Sequence, residues 1–246
     1  MKTTDVLVIG GSAAGMVAAL TGKSTYPDKS FTLVKKQKEM MVPCGIPYVF
    51  GTLDTVDQNI MPVDNMMGKA GVESIVDEVT SINKENKTVE LAGGDLIKYD
   101  KLVIATGSMP IKPKWLTGAD KDNVFTIPKD KVYLAGMREK LDLCRKVVVI
   151  GAGFIGVEFS DELAKRGHEV TLVEKLPEIL SLAFDRELSE RIEELIRSRG
   201  VRVITGNGIS EILGDEKVNA VKLENGEELE SDAVVLSIGY KPNVEL

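Results

Sequence analysis

The turn from Gly151 to Gly156 has the spacing G-x-G-x-x-G, which is suited to holding the pyrophosphate of a dinucleotide. Gly151 permits a tight turn, Gly153 lets the backbone approach the phosphates, and Gly156 allows a helix to pack closely on a strand. Glu174 follows near the roughly 20-residue spacing expected of the acid that accepts a ribose 2′-hydroxyl. Because a glutamate repels a 2′-phosphate, the pattern favours NAD(H) over NADP(H).

The residues that flank this turn predict the strand–helix–strand unit that must position it. Val147 to Ile150 is an apolar β-branched run, typical of a strand buried on both faces of a parallel sheet. Apolar residues from Ile155 to Ala164 are spaced for an amphipathic helix that ends at Gly167, and the N-terminus of such a helix attracts phosphate. A second strand, Glu169 to Val173, then delivers Glu174. A tight turn without a ligand would not need that acid, so the sequence predicts a dinucleotide site.

The segment around Cys44 is a second candidate for chemistry. Pro43, Gly45 and Pro47 constrain the chain there, and Pro47 is suited to the first turn of a helix. A thiolate near a helix N-terminus is stabilised, which favours nucleophilic redox chemistry. A buried cysteine acting as a small hydrophobic residue fits the position equally well. Position alone leaves both interpretations open.

The N-terminus repeats the dinucleotide pattern in altered form. Asp5 to Ile9 is predicted to be a strand, Gly10 to Gly15 the turn, Met16 to Thr21 a helix, and Phe31 to Val34 the second strand. The place of the middle glycine is taken by Ser12, which is small enough for close backbone approach. The place of the terminal acid is taken by Lys35, which cannot accept a hydrogen bond from a ribose hydroxyl.

The two halves of the chain follow one plan. Each glycine turn is followed by short strands with polar turns and then by a buried return strand, which ends at Gly107 in the first half and at Gly239 in the second. This duplication predicts an α/β fold with two Rossmann-like, three-layer dinucleotide-binding domains, each with an inserted small β-meander. Prolines and a glycine between residues 110 and 118 place the boundary, giving a domain of residues 1–111 and a second of residues 112–246.

Composition excludes several classes of function. The net charge of −7 and the absence of a basic run argue against a nucleic-acid partner. No apolar run approaches the roughly 20 residues of a membrane span, and two cysteines make no disulfide framework, so the chain is predicted to be cytoplasmic. The only histidine, His168, is expected to be structural and solvent-facing, and no cluster of metal ligands is present.

These motifs together resemble the FAD-dependent pyridine nucleotide–disulfide oxidoreductases over nearly the whole chain. The resemblance rests on the two glycine turns, on Ala105-Thr106-Gly107 after a strand, and on the run from Gly239 to Asn243. The segment Pro-Cys-Gly-Ile-Pro-Tyr around Cys44 is similar to the single-cysteine branch, which contains NADH oxidases, NADH peroxidases and coenzyme A-disulfide reductases. Val49 stands where dithiol members carry a second cysteine. The resemblance therefore favours Cys44 as the redox-active residue.

The resemblance implies FAD at the first turn and NAD(H) at the second, with hydride passing from the nicotinamide to the flavin and on to an oxidised Cys44. It also implies Val79 near the adenine of FAD and Glu158 near the junction of nicotinamide and flavin. The residues predicted to contact the cofactors are Gly10, Ser12, Ala13, Ala14, Gly15, Lys35, Pro43, Val79, Ala105, Thr106, Gly107, Gly151, Gly153, Phe154, Ile155, Gly156, Glu158, Glu174, Lys175 and Gly239.

Several positions depart from the family pattern. With Lys35 in place of the ribose acid, the adenosine end of FAD is expected to be held by backbone or water. Ala13 stands where oxidases and peroxidases of the branch carry a histidine, which favours disulfide or persulfide reduction over peroxide chemistry. Met40 stands where coenzyme A-disulfide reductases often carry a serine, which weakens a claim for coenzyme A. The acceptor is thus expected to be a small disulfide or persulfide, with oxygen as an alternative.

Family members continue past the Gly-x-x-Pro-Asn run, complete the FAD domain and add a dimerisation domain. The chain is therefore expected to be a fragment of a longer homodimeric protein. Its leading predicted function is an NADH oxidase or disulfide reductase. Two alternatives remain: a ferredoxin reductase-like electron-transfer flavoprotein in which Cys44 is structural, and an NADH-binding redox sensor module.

Overall fold

The computed structural model describes all 246 residues as an α/β protein with two parallel sheets. The first half has a six-stranded sheet of order β5-β2-β1-β8-β7-β6, in which β5, β2, β1 and β8 are parallel and β8, β7 and β6 form an antiparallel meander. Its strands and helices are β1 (Lys2–Ile9), α1 (Ala13–Thr25), β2 (Phe31–Lys35), β3 (Met40–Met41), β4 (Ile60–Met61), α2 (Val63–Ala70), β5 (Glu73–Val76), β6 (Val79–Asn83), β7 (Thr88–Leu91), β8 (Leu96–Ile104) and β9 (Ser108–Pro110).

The second half repeats the parallel sheet but separates the meander from it. Its five-stranded parallel sheet has the order β10-β17-β11-β12-β13, and β14, β15 and β16 form their own antiparallel sheet. The elements are β10 (Val124–Thr126), α3 (Lys131–Leu141), β11 (Lys146–Ile150), α4 (Phe154–Lys165), β12 (Glu169–Val173), α5 (Arg186–Ser198), β13 (Arg202–Ile204), β14 (Ile209–Leu213), β15 (Ala220–Leu223), β16 (Glu228–Glu230), β17 (Ala233–Leu236) and β18 (Tyr240–Pro242).

The largest core cluster spans both halves of the chain, and the smaller clusters each lie within one half. The largest cluster of buried apolar residues joins Val49 and Phe50, which follow Cys44, to Phe159 and Leu163 of α4. The chain leaves the first half through β9 and returns to it through β18, and these two strands pair antiparallel. The segment that contains Cys44 is therefore packed against the second half of the chain.

The predicted fold class is confirmed, and the differences are local. Helix α1 begins at Ala13, so Ala13, Ala14 and Gly15 form its first turn and do not lie in the loop before it. Strand β8 is continuous from Leu96 to Ile104. Its first residues pair with β7, and from Ile97 onward it pairs with β1, so one strand joins the meander to the parallel sheet.

Two other expectations need correction or completion. Pro43–Gly45 and Pro47–Phe50 are short 3₁₀ helices, with Pro47 in a first turn as predicted. His168 is half-buried, not solvent-facing, because its Nδ1 lies 3.0 Å from the carbonyl oxygen of Cys144.

None of the five α-helices combines the length and the apolar character needed to cross a bilayer.

Candidate functional site

The second glycine turn leaves the start of helix α4 open. Gly151 has a φ of 95°, and its carbonyl oxygen lies only 1.8 Å from where a Cβ on Gly156 would be, so both positions require glycine. The N-cap is Gly153, no side chain caps the helix, and its first turn contains no acidic residue. A Cβ on Gly153 would meet no atom within 4 Å. The N–H groups of this helix end are therefore free for an anionic ligand.

Glu174 is held at the edge of this turn by backbone donors. Its Oε2 accepts a hydrogen bond from the N–H of Ala152 at 2.7 Å, and its Oε1 accepts one from Leu176 at 2.9 Å. Each carboxylate oxygen has a further lone pair, so the acid can still accept a ribose hydroxyl. The arrangement joins the end of β12 to the turn after β11 and orients the acid without blocking it.

A cavity of about 540 Å³ lies over this turn. Six of the predicted residues line it: Gly151, Gly153, Phe154, Ile155, Glu174 and Gly239. Sequence reasoning missed the other lining residues, which lie within the glycine turn, in the loop after β12 and directly before Gly239: Ala152, Leu176, Leu180, Ser181, Leu182, Ala183, Ser237 and Ile238. Ser237 and Ile238 had a signal, since they directly precede a glycine in the repeated return strand, whereas the loop after β12 had none.

Three predicted residues of this site do not line the cavity. Gly156 packs beneath the turn, as its closeness to the carbonyl of Gly151 requires. Glu158 lies on α4 and is exposed to solvent. Partial desolvation raises the pKa of its carboxyl group, and the negative charge of nearby Glu162 raises it further. Lys175 is exposed and forms an ion pair with Glu224 at 2.8 Å.

The first glycine turn has the same backbone plan. Gly10 has a φ of 110°, and a Cβ there would lie 2.1 Å from the carbonyl oxygen of Ala105. Ser12 is the N-cap of α1 and makes no capping hydrogen bond, and no acidic residue follows in the first turn. This helix end is open to an anion, as the end of α4 is.

A cavity of about 640 Å³ lies beside the first turn. Of the predicted residues, Gly10, Val79 and Thr106 line it. Ala105 lies behind Gly10, and Gly107 accepts a hydrogen bond at its carbonyl from the N–H of Asn243 at 3.0 Å. Sequence reasoning missed the other lining residues: Ile9, Val34, Lys36, Asp77, Glu78, Thr80, Met109, Asn243, Glu245 and Leu246.

Lys35 does not line this cavity. Its side chain is 1% exposed and lies beside Gly11, where a Cβ would come within 2.7 Å of the Cβ of Lys35. Its Nζ donates to the carbonyl oxygens of Gln37 at 3.2 Å and Lys38 at 2.6 Å, and it pairs with Asp64 at 3.2 Å. A lysine is buried here because every face of its ammonium group meets an acceptor.

Cys44 is exposed in the 3₁₀ helix Pro43–Gly45, and Pro43 is half-buried beside it. Asn59 supports this helix, since its Nδ2 donates to the carbonyl of Val42 at 3.1 Å. The nucleophile interpretation needs an accessible thiol, whereas the small-hydrophobe interpretation needs a buried one. Exposure therefore favours the first interpretation.

The other cysteine is of the opposite kind. Cys144 is buried in the largest core cluster, and its Sγ lies 3.2 Å from the carbonyl oxygen of Lys140. Burial raises the pKa of this thiol, which disfavours the thiolate. The surroundings of Cys144 are therefore those of a residue that packs in the core.

The fold and the two open helix ends define the chain as a protein with paired dinucleotide-binding units. The family model described as pyridine nucleotide-disulphide oxidoreductase matches residues 4–246, so the chain belongs to this family. This membership confirms the family predicted from the sequence. With the NADH oxidase relatives, it also bears out FAD and NAD(H) as the cofactors.

Individual relatives differ in the activity that their names describe. The chain is 34% identical to an NADH oxidase of Methanocaldococcus jannaschii, over 98% of this chain and 55% of the relative. It is 34% identical to a NAD-dependent persulfide reductase from A. fulgidus, with a TM-score of 0.89 over 98% of this chain and 47% of the other. A ferredoxin reductase from Rhodopseudomonas palustris gives a TM-score of 0.90 at 27% identity, over 100% of this chain and 60% of the other. The chain thus spans about half the length of the curated relatives it matches.

Proposed function

We propose that the chain forms the nucleotide-binding and cysteine-bearing part of a flavoprotein oxidoreductase that uses NADH to reduce sulfur at Cys44. The observation that carries this proposal is the packing of the segment after Cys44, which contains Val49 and Phe50, on helix α4. Helix α4 begins directly after the second glycine turn. One helix thereby links the candidate NADH site to the only exposed cysteine.

We further propose that residues 1–111 form the FAD-binding domain and residues 112–246 the NAD-binding domain. The two separate parallel sheets and the pairing of β9 with β18 where the chain crosses between them support this division. In the first domain the N–H groups at the start of α1 would hold the pyrophosphate of FAD. In the second, those of α4 would hold the pyrophosphate of NADH, with Glu174 accepting the ribose hydroxyl.

The residues present fit both groups. Each helix end lacks a side-chain cap and an acidic first turn, and each adjoins a cavity large enough for part of a dinucleotide. Bound FAD would supply the chemistry that converts hydride transfer from NADH into two-electron reduction of sulfur. The protein contributes the open helix ends, the oriented Glu174 and a sulfur nucleophile on a constrained segment.

The proposed acceptor is a small disulfide or persulfide. Ala13 at the start of α1 offers no acid–base group, and the single histidine is tied to the carbonyl of Cys144, which disfavours histidine-assisted oxygen or peroxide chemistry. In a disulfide reaction the Cys44 thiolate attacks one sulfur and releases the other as a thiolate, leaving a mixed disulfide. Two electrons from NADH and one proton then regenerate the Cys44 thiolate and release the second sulfur as a thiol.

Electron transfer to a partner protein is the second candidate. The TM-score of 0.90 to a ferredoxin reductase favours it. Single-electron transfer through a flavin needs no reactive thiol in the chain. The two candidates differ in their need for the Cys44 thiol.

Replacing Cys44 by serine tests the proposal. We expect Cys44→Ser to reduce turnover of coenzyme A disulfide and polysulfide by roughly a hundredfold or more, because a hydroxyl is a far weaker nucleophile. NADH-to-ferricyanide electron transfer and the bleaching of flavin absorbance by anaerobic NADH should be retained. Cys144→Ser, at the buried cysteine, is the matched control. Unchanged disulfide turnover in Cys44→Ser would reject the proposal in favour of the second candidate.

We propose a cytoplasmic homodimer that prefers NADH to NADPH. Two cysteines, too few for a disulfide framework, support the cytoplasmic assignment, the orientation of Glu174 supports NADH, and the homodimer rests on the family resemblance. Sedimentation of the protein, and its affinities for the two nucleotides, test these assignments.

A further inference from the structure

A buried carboxylate of the NAD-binding half holds the segment that follows Cys44. Glu162, in the middle of α4, is 2% exposed. Its Oε2 accepts hydrogen bonds from the backbone N–H and from the hydroxyl of Thr52, both at 2.7 Å. Its Oε1 accepts one from Lys165 at 2.6 Å. Both oxygens of the buried carboxylate thus accept hydrogen bonds, and two of the three donor groups come from the first half of the chain.

The neighbours of Thr52 bring its backbone close to α4. A Cβ on Gly51 would lie 2.3 Å from the carbonyl oxygen of Glu162, so only glycine permits this approach. The ring centroids of Phe50 and Phe159 are 4.5 Å apart, which places an aromatic pair one turn before Glu162. The segment from Phe50 to Thr52 is therefore seated on one face of the helix by packing and by charge-assisted hydrogen bonds.

The same helix carries the candidate nucleotide site. Helix α4 starts at Phe154, directly after Gly153, and Glu162 lies about 12 Å further along it at 1.5 Å per residue. An α-helix of this length is stiff because its backbone hydrogen bonds are internal. The distance between the nucleotide turn and Thr52 is therefore set by one rigid element.

We propose that Glu162 is a positioning residue that fixes the Cys44 segment relative to the bound nicotinamide. This inference rests on the proposed function of Cys44 in sulfur reduction. Glu162 touches neither cofactor nor substrate and acts through Thr52. A buried ion pair is weak support for stability alone, since well-packed apolar residues often do as well. Glu162 can instead fix the position of a reactive segment. Apolar packing would not do this equally well, because only directed hydrogen bonds fix the backbone of Thr52 along the helix.

Three substitutions and a matched control test this role. Glu162→Ala removes the acceptor, Thr52→Val removes the hydroxyl donor but keeps the backbone N–H, and Glu162→Gln keeps an acceptor for Thr52. Asp161→Asn is the control, because Asp161 lies beside Glu162 on α4 and bonds to Lys165 and Arg199 within the second half alone.

We expect Glu162→Ala to lower kcat for coenzyme A disulfide by roughly tenfold or more, since hydrogen bonds to a charged group are lost. Thr52→Val should lower it by roughly threefold and Glu162→Gln should restore most of it, because one acceptor remains. In all three, the Kd for NADH and the rate of NADH-to-ferricyanide transfer should stay within about twofold of wild type, because the nucleotide turn is unchanged. Asp161→Asn should leave all of these values near wild type.

A readout independent of turnover is backbone hydrogen exchange. Exchange between Cys44 and Leu53 should rise in Glu162→Ala and Thr52→Val, and exchange in β11 and β12 should not. A rise throughout the chain, or equal losses in NADH affinity and disulfide turnover, would overturn the positioning role. If Glu162→Ala does not fold, Thr52→Val and Glu162→Gln decide between the same outcomes.

Failure of this inference is distinguishable from failure of the proposed function. If Cys44→Ser abolishes disulfide turnover and the Glu162 and Thr52 variants match wild type, only the positioning role is wrong. If Cys44→Ser keeps its turnover, the proposed function is wrong and the inference that rests on it is withdrawn.

Discussion

The two glycine turns share a backbone and differ in the residue that ends the following strand. In both, the first glycine has a positive φ, and a Cβ on the last glycine, Gly15 or Gly156, would lie 1.8 Å from the first glycine's carbonyl oxygen. Strand β12 ends before Glu174, whose carboxylate accepts the N–H of Ala152. Strand β2 ends at Lys35, whose buried stem lies against Gly11.

The difference shows that each turn is matched to its own strand end. A compact carboxylate leaves room for the methyl group of Ala152 and reaches back to its N–H. A long lysine stem fills the corresponding space and requires Gly11 to have no side chain. The ammonium of Lys35 is then directed to the loop of residues 37–38 and to Asp64, away from the cavity. The backbone that binds phosphate is thus retained while the residue that would hold the ribose is exchanged.

The largest expected effect tests the part that the two turns share. Gly15→Ala and Gly156→Ala should each destabilise the protein by about 3 kcal/mol, because a methyl group overlaps a backbone carbonyl that cannot move cheaply. Urea denaturation followed by circular dichroism measures this. Gly153→Ala, where a Cβ meets nothing, is the matched control and should change stability by less than about 1 kcal/mol. Equal effects at Gly153 and Gly156 would contradict the close approach.

The next effect tests the residue that differs between the two turns, Glu174 in the second half and Lys35 in the first. Glu174→Ala should weaken NADH binding roughly ten- to a hundredfold, because a charged acceptor for the ribose and for the N–H of Ala152 is lost. Calorimetric titration with NADH gives the affinity. Lys35→Ala provides the comparison at the first turn and should leave NADH binding within about twofold. If Glu174→Ala bound NADH normally, Glu174 would support only the fold of the turn.

The sequence sufficed for what depends on local spacing. The strand–turn–helix units and the duplication follow from residues close together in the chain, whereas position alone left open whether Cys44 is exposed or buried. The burial of Lys35 could not be predicted, since its acceptors become available only when residues 37–38 and Asp64 fold around it. The contact of Glu162 with Thr52 joins residues 110 apart in the sequence, and no local pattern near either residue predicts it. The loop of Leu180 to Ala183, which lines the cavity over the second glycine turn, could not be predicted either, because its position depends on packing and not on periodicity.

A smaller effect tests the match between Lys35 and Gly11. Gly11→Ala should destabilise the protein by about 1.5 kcal/mol, because its Cβ would lie within 2.7 Å of Lys35 Cβ and 2.9 Å of its Cδ. Truncating the stem in Gly11→Ala/Lys35→Ala removes Cγ and Cδ but keeps Cβ, so it should recover part of the added loss, which a double-mutant cycle of unfolding free energies measures. Ala152→Gly is the counterpart in the second turn, where no stem competes for space. Additive losses in the cycle would contradict the steric match.

The smallest effect concerns two corresponding carboxylates, Asp232 directly before β17 and Asp100 within β8. Asp232 accepts hydrogen bonds from the N–H groups of Lys146 at 2.8 Å and Arg145 at 2.9 Å, and these bonds hold the pKa of its carboxyl group below its ordinary value near 3.8. The corresponding Asp100 is exposed, and hydrogen bonding to the Lys87 side chain lowers its pKa. The two aspartates differ in the nature of their donors, which are fixed backbone groups in the second half and a mobile side chain in the first.

Because the pKa of Asp232 is lower in the folded protein, its contribution to stability is complete above the ordinary pKa and is lost as the pH falls through the folded value. Asp232→Asn should therefore cost about 1 kcal/mol at pH 7, reduced by solvent screening, and the difference from wild type should shrink as the pH falls below about 4. Asp100→Asn should have a smaller effect that added salt removes, since a side-chain pair is screened and backbone donors are not. Urea midpoints at pH 7 and pH 3, with and without salt, measure both. A pH-independent loss in Asp232→Asn would assign the role of Asp232 to packing and not to the charge of its carboxylate.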